Sequence, residues 1–182
     1  MNNERIEFTI LRNLIFNEDY TRKVLPFVNE IYFPKREEQI LFQEINSFVM
    51  KYKNLPSKES ILIELGNRKD INEEENRIVK ELINTLNPEE IDQQWLLDTT
   101  EKFCKDRAVH NAVLDGIKIL DGKSKDKTPE AIPSILADAL AVSFDNHIGH
   151  DYIEDADDRF KFYHTKEKKY QFDLSYFNRI TK

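Results

Sequence analysis

Apolar residues recur along this chain at the three- and four-residue spacings of helix faces. Ile6, Ile10 and Leu14, with Leu11 and Ile15 beside them, predict a first helix from Glu4 or Arg5 to Phe16. Asn17-Glu18-Asp19 can end it and cap a short second helix, which Pro26 limits. The stretch from Phe27 to Phe33 shows no clear period and reads as irregular. Pro34 suits the first position of a third helix, in which Leu41, Ile45, Phe48, Val49 and Tyr52 define one buried face. Asn54-Leu55-Pro56 breaks the pattern. Ser57 then caps a helix carrying Ile61, Leu62 and Leu65 that closes near Gly66. Asn72 with Glu75 three residues later spells a capping box for a helix with Ile78, Val79, Leu82, Ile83 and Leu86 on one side.

The back half differs. Asn87-Pro88-Glu89-Glu90 combines a cap residue, a proline and acids near the positive end of a helix dipole, and predicts a long helix from there to Leu120. That helix is apolar on two sides. Phe103, Val109, Val113, Leu114, Ile117 and Leu120 make a large-residue side, and Cys104, Ala108, Ala112 and Ile119 make an opposite, mostly small-residue side. One neighbour needs only one stripe, so two stripes imply two neighbours. After the polar loop Asp121–Lys127, Thr128-Pro129 opens a partner helix with Ile132, Ile135, Leu136, Ala139 and Leu140 on one face, which completes a helical hairpin. Beyond the joint at 145–150, Tyr152, Ile153, Ala156, Phe160 and Tyr163 form an aromatic stripe. Acids early and lysines late complement the dipole of the helix that carries it.

Composition fits helices and narrows the chemistry. Four glycines and six prolines in 182 residues disfavour a turn-rich β fold, so an all-α class is expected, with little or no β. Charged residues make up 34% of the chain, above the roughly 25% of an average domain, and so require extensive wetted helix surface. The net charge of −7 argues against a domain built mainly to grip phosphates. The lone Cys104 excludes an internal disulfide and suits a reducing compartment. No apolar run approaches the roughly 20 residues of a membrane span.

Candidate chemical sites are weak. His147, His150 and Asp151 have a spacing that could suggest a metal, but a hinge with exposed imidazoles is the simpler reading. The acids of Asp151–Asp158 lack the glycine and glutamate of a calcium loop. Cys104 and His110 are six residues apart and point to roughly opposite sides of a helix, so a buried small residue explains the cysteine better than a nucleophile. The lysines of 123–127 and 166–169 lie in polar connectors where solvation suffices. Trp95 reads as a core anchor. No catalytic, metal or cofactor residue is expected in these 182 residues.

Several blocks are similar to a known family. Leu14-Ile15-Phe16 with Tyr20 and Val24-Leu25-Pro26 resembles the first two helices of ring-shaped replicative DNA helicases of the DnaB type, in their T-even phage form. Thr100-Glu101-Lys102-Phe103, Arg107-Ala108 and Asn111-Ala112 resemble that family's long hairpin helix. Ala131-Ile132-Pro133, Ala139-Leu140 and Ser143-Phe144-Asp145 resemble the returning helix, and Gly149-His150-Asp151 the hinge before a linker helix. Phe172-Asp173-Leu174 with Asn178-Arg179-Ile180-Thr181-Lys182 resembles the run just before the motor domain.

The resemblance implies an organisation and a role. Residues 1–87 would be a globular helical part, 88–146 a self-association hairpin, 147–170 a hinge and linker helix, and 171–182 a stub leading into a RecA-like ATPase. The hairpin would pair with its copy through Phe103, Cys104, Ala108, Ala112, Leu114, Ile117, Ile135, Leu136 and Leu140. The linker helix would dock through Tyr152, Ile153, Ala156, Phe160 and Tyr163. The whole protein would be an ATP- and magnesium-dependent hexamer in the cytoplasm of an infected bacterium. Its collar would meet primase and a helicase loader, and single-stranded DNA would be held mainly by the motor. No Walker-A loop lies within these residues, so this piece would be non-catalytic. The alternative is a stand-alone helical adaptor that mimics the collar and loads or inhibits the helicase.

Overall fold

The computed structural model describes residues 5–124 and 126–144. Seven α-helices occur among them and no strand, so the fold is all-α: α1 Ile6–Phe16, α2 Glu18–Val24, α3 Arg36–Tyr52, α4 Lys58–Asn67, α5 Glu73–Thr85, α6 Gln93–Leu120 and α7 Ile132–Leu140. Two short 3-10 turns, Glu30–Tyr32 and Pro129–Ala131, join them.

Local chemistry sets most of the boundaries. Asn17 accepts from the Tyr20 amide and starts α2 directly after α1. Ser57 accepts from Ser60 N at 3.1 Å. At α5 the capping box is complete: Asn72 Oδ1 accepts from Glu75 N at 2.8 Å, and Glu75 Oε2 accepts from Asn72 N at 2.9 Å, which satisfies two otherwise orphaned amides. The third helix begins at Arg36, not at Pro34. The segment read as irregular contains the Glu30–Tyr32 turn, capped by the Asn29 side chain. The long helix begins at Gln93, not at Pro88. Asp92, rather than Asn87, supplies the cap, accepting from Trp95 N at 2.7 Å. Residues 87–92 stay outside any helix, and Glu89 pairs instead with Arg12 of α1. Trp95 is exposed rather than a core anchor, because it lies in the first turn of α6, ahead of the buried Leu96.

The core is built around α1. Ile10, Leu11 and Leu14 are fully buried together with Tyr20, Phe33, Ile40, Leu41, Ile45, Ile61, Leu65, Ile83 and Leu86. Helix α3 packs on α1, α4 and α5. Its predicted face fades towards its C-terminus, where Phe48 and Val49 are half-buried and Tyr52 is exposed against the Phe48 ring.

One ion pair, with a buried carboxylate and a half-exposed guanidinium, ties the N-terminal end of α1 to α3. Glu38 Oε1 accepts from Arg5 at 3.0 Å, while its Oε2 is buried without a hydrogen-bond partner. Burial raises the Glu38 carboxyl above the ordinary glutamate value of 4.5, with Glu7 adding to the shift and Arg5 and Lys35 opposing it. The folded state therefore holds this proton at pH values where the unfolded chain has released it. The resulting stabilisation is full below the unfolded pKa and is lost as pH rises through the folded one. Glu38→Gln removes that dependence. Urea titrations from pH 4.5 to about pH 7 should show the variant gaining stability relative to wild type as pH rises. A constant difference, or one of opposite slope, contradicts the assignment.

Candidate functional site

Helix α6 is anchored to the front bundle by its first two-thirds. Thr100 Oγ1 donates to the Leu96 carbonyl at 2.7 Å, so the Tyr20 hydroxyl, 2.7 Å away, donates to Thr100 in a buried contact between α2 and α6. Burial pushes the Tyr20 hydroxyl pKa far up, which keeps it a donor. Arg107 Nε donates to Tyr32 O at 2.8 Å and Asn111 Nδ2 to Ile31 O at 2.9 Å, fixing the 3-10 turn against α6. Phe33 lies between Phe42 and Phe103.

The small-residue side of α6 is used inside the chain. Cys104, Ala108, Ala112, Gly116 and Ile119 are all buried. Helices α6 and α7 pack along one another, and a Cβ placed on Gly116 would stand 3.6 Å from Ile132 Cγ2. Past α7 the chain is tied back to α6. Glu101 Oε1 accepts from Ser143 Oγ at 3.2 Å and from Phe144 N at 3.4 Å, and the Phe144 ring stacks on Phe27 at 4.9 Å. Hydrogen bonding from Lys105 first, and from these groups, lowers the Glu101 pKa.

Past Val109, the opposite side of α6 carries no covering element among the described residues. At 100° per residue Val113, Leu114, Ile117 and Leu120 fall within about a third of a turn, and all are exposed, Ile117 at 50% and Leu120 at 69%. His110 lies in the same arc and is exposed. Ile31, exposed on the 3-10 turn, extends the patch across a groove of about 260 Å³ lined with Leu114, Asn111, Gln39, Asp115 and Lys118. A row of exposed aliphatic residues on a helix whose other side is already packed is a candidate surface for contact with another protein.

No family model matches the chain. It is 36% identical, in an alignment of 181 positions that covers 95% of the chain, to a DnaB-like replicative helicase of Enterobacteria phage T4. The chain is homologous to one region of that helicase. It spans 38% of the relative's length, and the resemblance read from the sequence blocks is thus a true relationship to part of a longer protein. Among the described residues of this homologue, no group of three His, Cys, Asp or Glu is placed to hold a metal ion, and no helix is long and apolar enough to cross a membrane.

The residues expected at a self-association face divide by exposure. Phe103, Cys104, Ala108 and Ala112 are buried by the chain itself, Ile135 and Leu136 are half-buried against the core, and Leu114, Ile117 and Leu140 are exposed, Leu140 at 72%. The close helix approach that small residues permit is taken by α7 at Gly116. Cys104 is a free, wholly buried thiol whose pKa burial pushes up to about 12, which makes it inert. Ile31 was not expected in the patch, since its turn carries no helical period. The only sequence signal for it is an isoleucine between Glu30 and Tyr32. The docking stripe Tyr152, Ile153, Ala156, Phe160 and Tyr163, the pair His147 and His150, and Lys166–Lys169 lie outside the described residues.

The α6–α7 spacing has a direct test. Gly116→Ala places its methyl at ordinary contact distance from Ile132 and removes a helix-interior glycine. It should stabilise the fold by about 0.5–1 kcal/mol, a rise of a few degrees in Tm by circular dichroism. A lower Tm means that the two helices are closer than described.

Proposed function

We propose that this chain is the assembly region of a ring-shaped, ATP-dependent replicative helicase acting in phage DNA replication, and that the outer face of α6 joins neighbouring copies. The observation that carries the reading is the pairing of homology to a replicative helicase with an uncovered aliphatic stripe on a helix already packed on its other side. In this reading the described helices organise copies of a motor, which supplies ATP and magnesium chemistry, holds single-stranded DNA and works as a hexamer in the cytoplasm of the infected cell. The same collar offers surfaces to primase and a helicase loader. The stripe 152–163 docks on a neighbouring subunit.

Magnitudes favour weak pairing. Val113, Leu114, Ile117 and Leu120 are roughly half exposed, so burying the remainder contributes about 1 kcal/mol for each side chain. Loss of translational and rotational freedom and side-chain ordering offset most of that. Such a contact is effective between subunits already held in a ring, where local concentration replaces free diffusion.

The test separates assembly from folding. Ile117→Asp with Leu120→Asp changes only exposed positions, so the melting curve should remain near that of wild type while self-association, followed by sedimentation velocity over a range of concentrations, falls at least about tenfold. Ala112→Glu places a charge on the buried side and should lower Tm sharply. Unchanged sedimentation of the double variant rejects the outer face as the joining surface.

A further inference from the structure

Past α7 the chain leaves the helices along a short, tied segment. Phe144 is the last residue of the first compact unit, Met1–Phe144. Among the described residues the last backbone hydrogen bond in chain order runs from Ala141 N to Ala137 O at 3.0 Å, at the end of α7. The residues that follow are held by side chains from two other elements. Glu101 Oε1, on α6, accepts from Ser143 Oγ at 3.2 Å and from Phe144 N at 3.4 Å. The Phe144 ring stacks on Phe27, in the segment after α2, with centroids 4.9 Å apart and planes 25° apart. Elements far apart in sequence thus converge on two residues at the boundary of the unit.

These contacts are of a kind that can be released. Both hydrogen bonds are long, and both go to an oxygen that Lys105 Nζ also reaches, at 2.6 Å. Phe27, Val142, Ser143 and Phe144 are half-buried, whereas Leu96, Thr100 and Cys104 of α6 are fully buried. Local opening costs least where few apolar contacts are sealed from water. Release at 142–144 breaks no hydrogen bond within a helix. Three extended residues would give about 10 Å of added reach to the chain that follows.

We propose that residues 142–144 form a releasable strap. Closed, it is held by Glu101 and Phe27 together and fixes the point at which the chain leaves the helices. Open, it detaches as one unit and lengthens the chain beyond Phe144 while every helix stays intact. The two holds act on one residue from different directions: the carboxylate fixes the Phe144 backbone, and the stacked ring supplies its apolar contact. An isolated hydrogen bond would leave the Phe144 amide indifferent to the Phe27 ring. A strap makes that amide depend on both. Neither Glu101 nor Phe27 belongs to the outer face of α6, so the strap does not rest on the self-association reading.

The test is residue-resolved amide hydrogen exchange by NMR on the full 182-residue chain, ¹⁵N-labelled, with the amides of 103–112 in α6 as the internal measure of global unfolding. In wild type the Phe144 amide should exchange at least about tenfold slower than an unstructured amide and at least about a hundredfold faster than those of α6. Phe27→Leu alters no hydrogen bond of the strap, yet it should speed exchange at Phe144 about threefold or more and leave α6 unchanged. Glu101→Ala should speed Phe144 to a similar or greater extent and should also shift the ring resonances of Phe27. Glu101→Gln, which keeps an acceptor oxygen, should lie between wild type and Glu101→Ala. The proposal is overturned if the wild-type Phe144 amide is unprotected, or if it exchanges as slowly as α6 and so opens only with the whole fold. It is equally overturned if Phe27→Leu leaves Phe144 exchange unchanged. Should Phe27→Leu fail to fold, Glu101→Ala decides alone, and unmoved Phe27 ring resonances in that variant overturn the proposal.

Discussion

The architecture depends on one helix that must satisfy two environments. Helix α6 is 28 residues long, more than twice a common helix length, and no single neighbour spans it. Its front end is held by the buried Tyr20–Thr100 hydrogen bond and by Arg107 and Asn111 on the carbonyls of a 3-10 turn. Among the described residues its back end packs on α7 and on the 3-10 turn that precedes it, with Gly116 facing Ile132. Because α7 takes the small side, the large aliphatic side is left facing outward. The exposed stripe is therefore a consequence of how the hairpin closes, not an isolated surface feature.

This arrangement divides the surface into regions of different character. The outer face of α6 is apolar and extends to Ile31. The junction of α2 and α3 is a small aliphatic hollow with Lys53 and the Arg22–Glu18 pair in its lining. Much of the remaining charge is engaged in ion pairs such as Arg68 with Glu44 and Asp70, and Arg77 with Glu74 and Glu81. The exposed pairs of Arg77 contribute little to stability and keep that surface wetted.

Much of this was legible in the sequence where local chemistry and periodicity agreed. The capping box at Asn72, the Ser57 cap and the apolar periods of α1, α3 and α5 all appear in the structure. So do the two opposed stripes of α6. Misreadings arose where several local signals competed or where tertiary contacts decided. Asn87-Pro88-Glu89-Glu90 carries every mark of a helix start, yet Asp92 caps α6 and Glu89 is drawn to Arg12. Trp95 has the composition of a core residue and the position of a surface one. Periodicity also showed that α6 needs two neighbours without showing which side its own chain would cover. Only the placement of α7 separates Ala112, which is buried, from Ile117, which is left exposed.

The most direct measurement is of distance between copies. With the buried Cys104 replaced by alanine, a single spin label at position 117 should show concentration-dependent dipolar coupling between copies, while a label at Ile63, exposed on α4, should show none. Coupling at 63 without coupling at 117 would contradict the claim that the outer face of α6 is where copies of this chain meet.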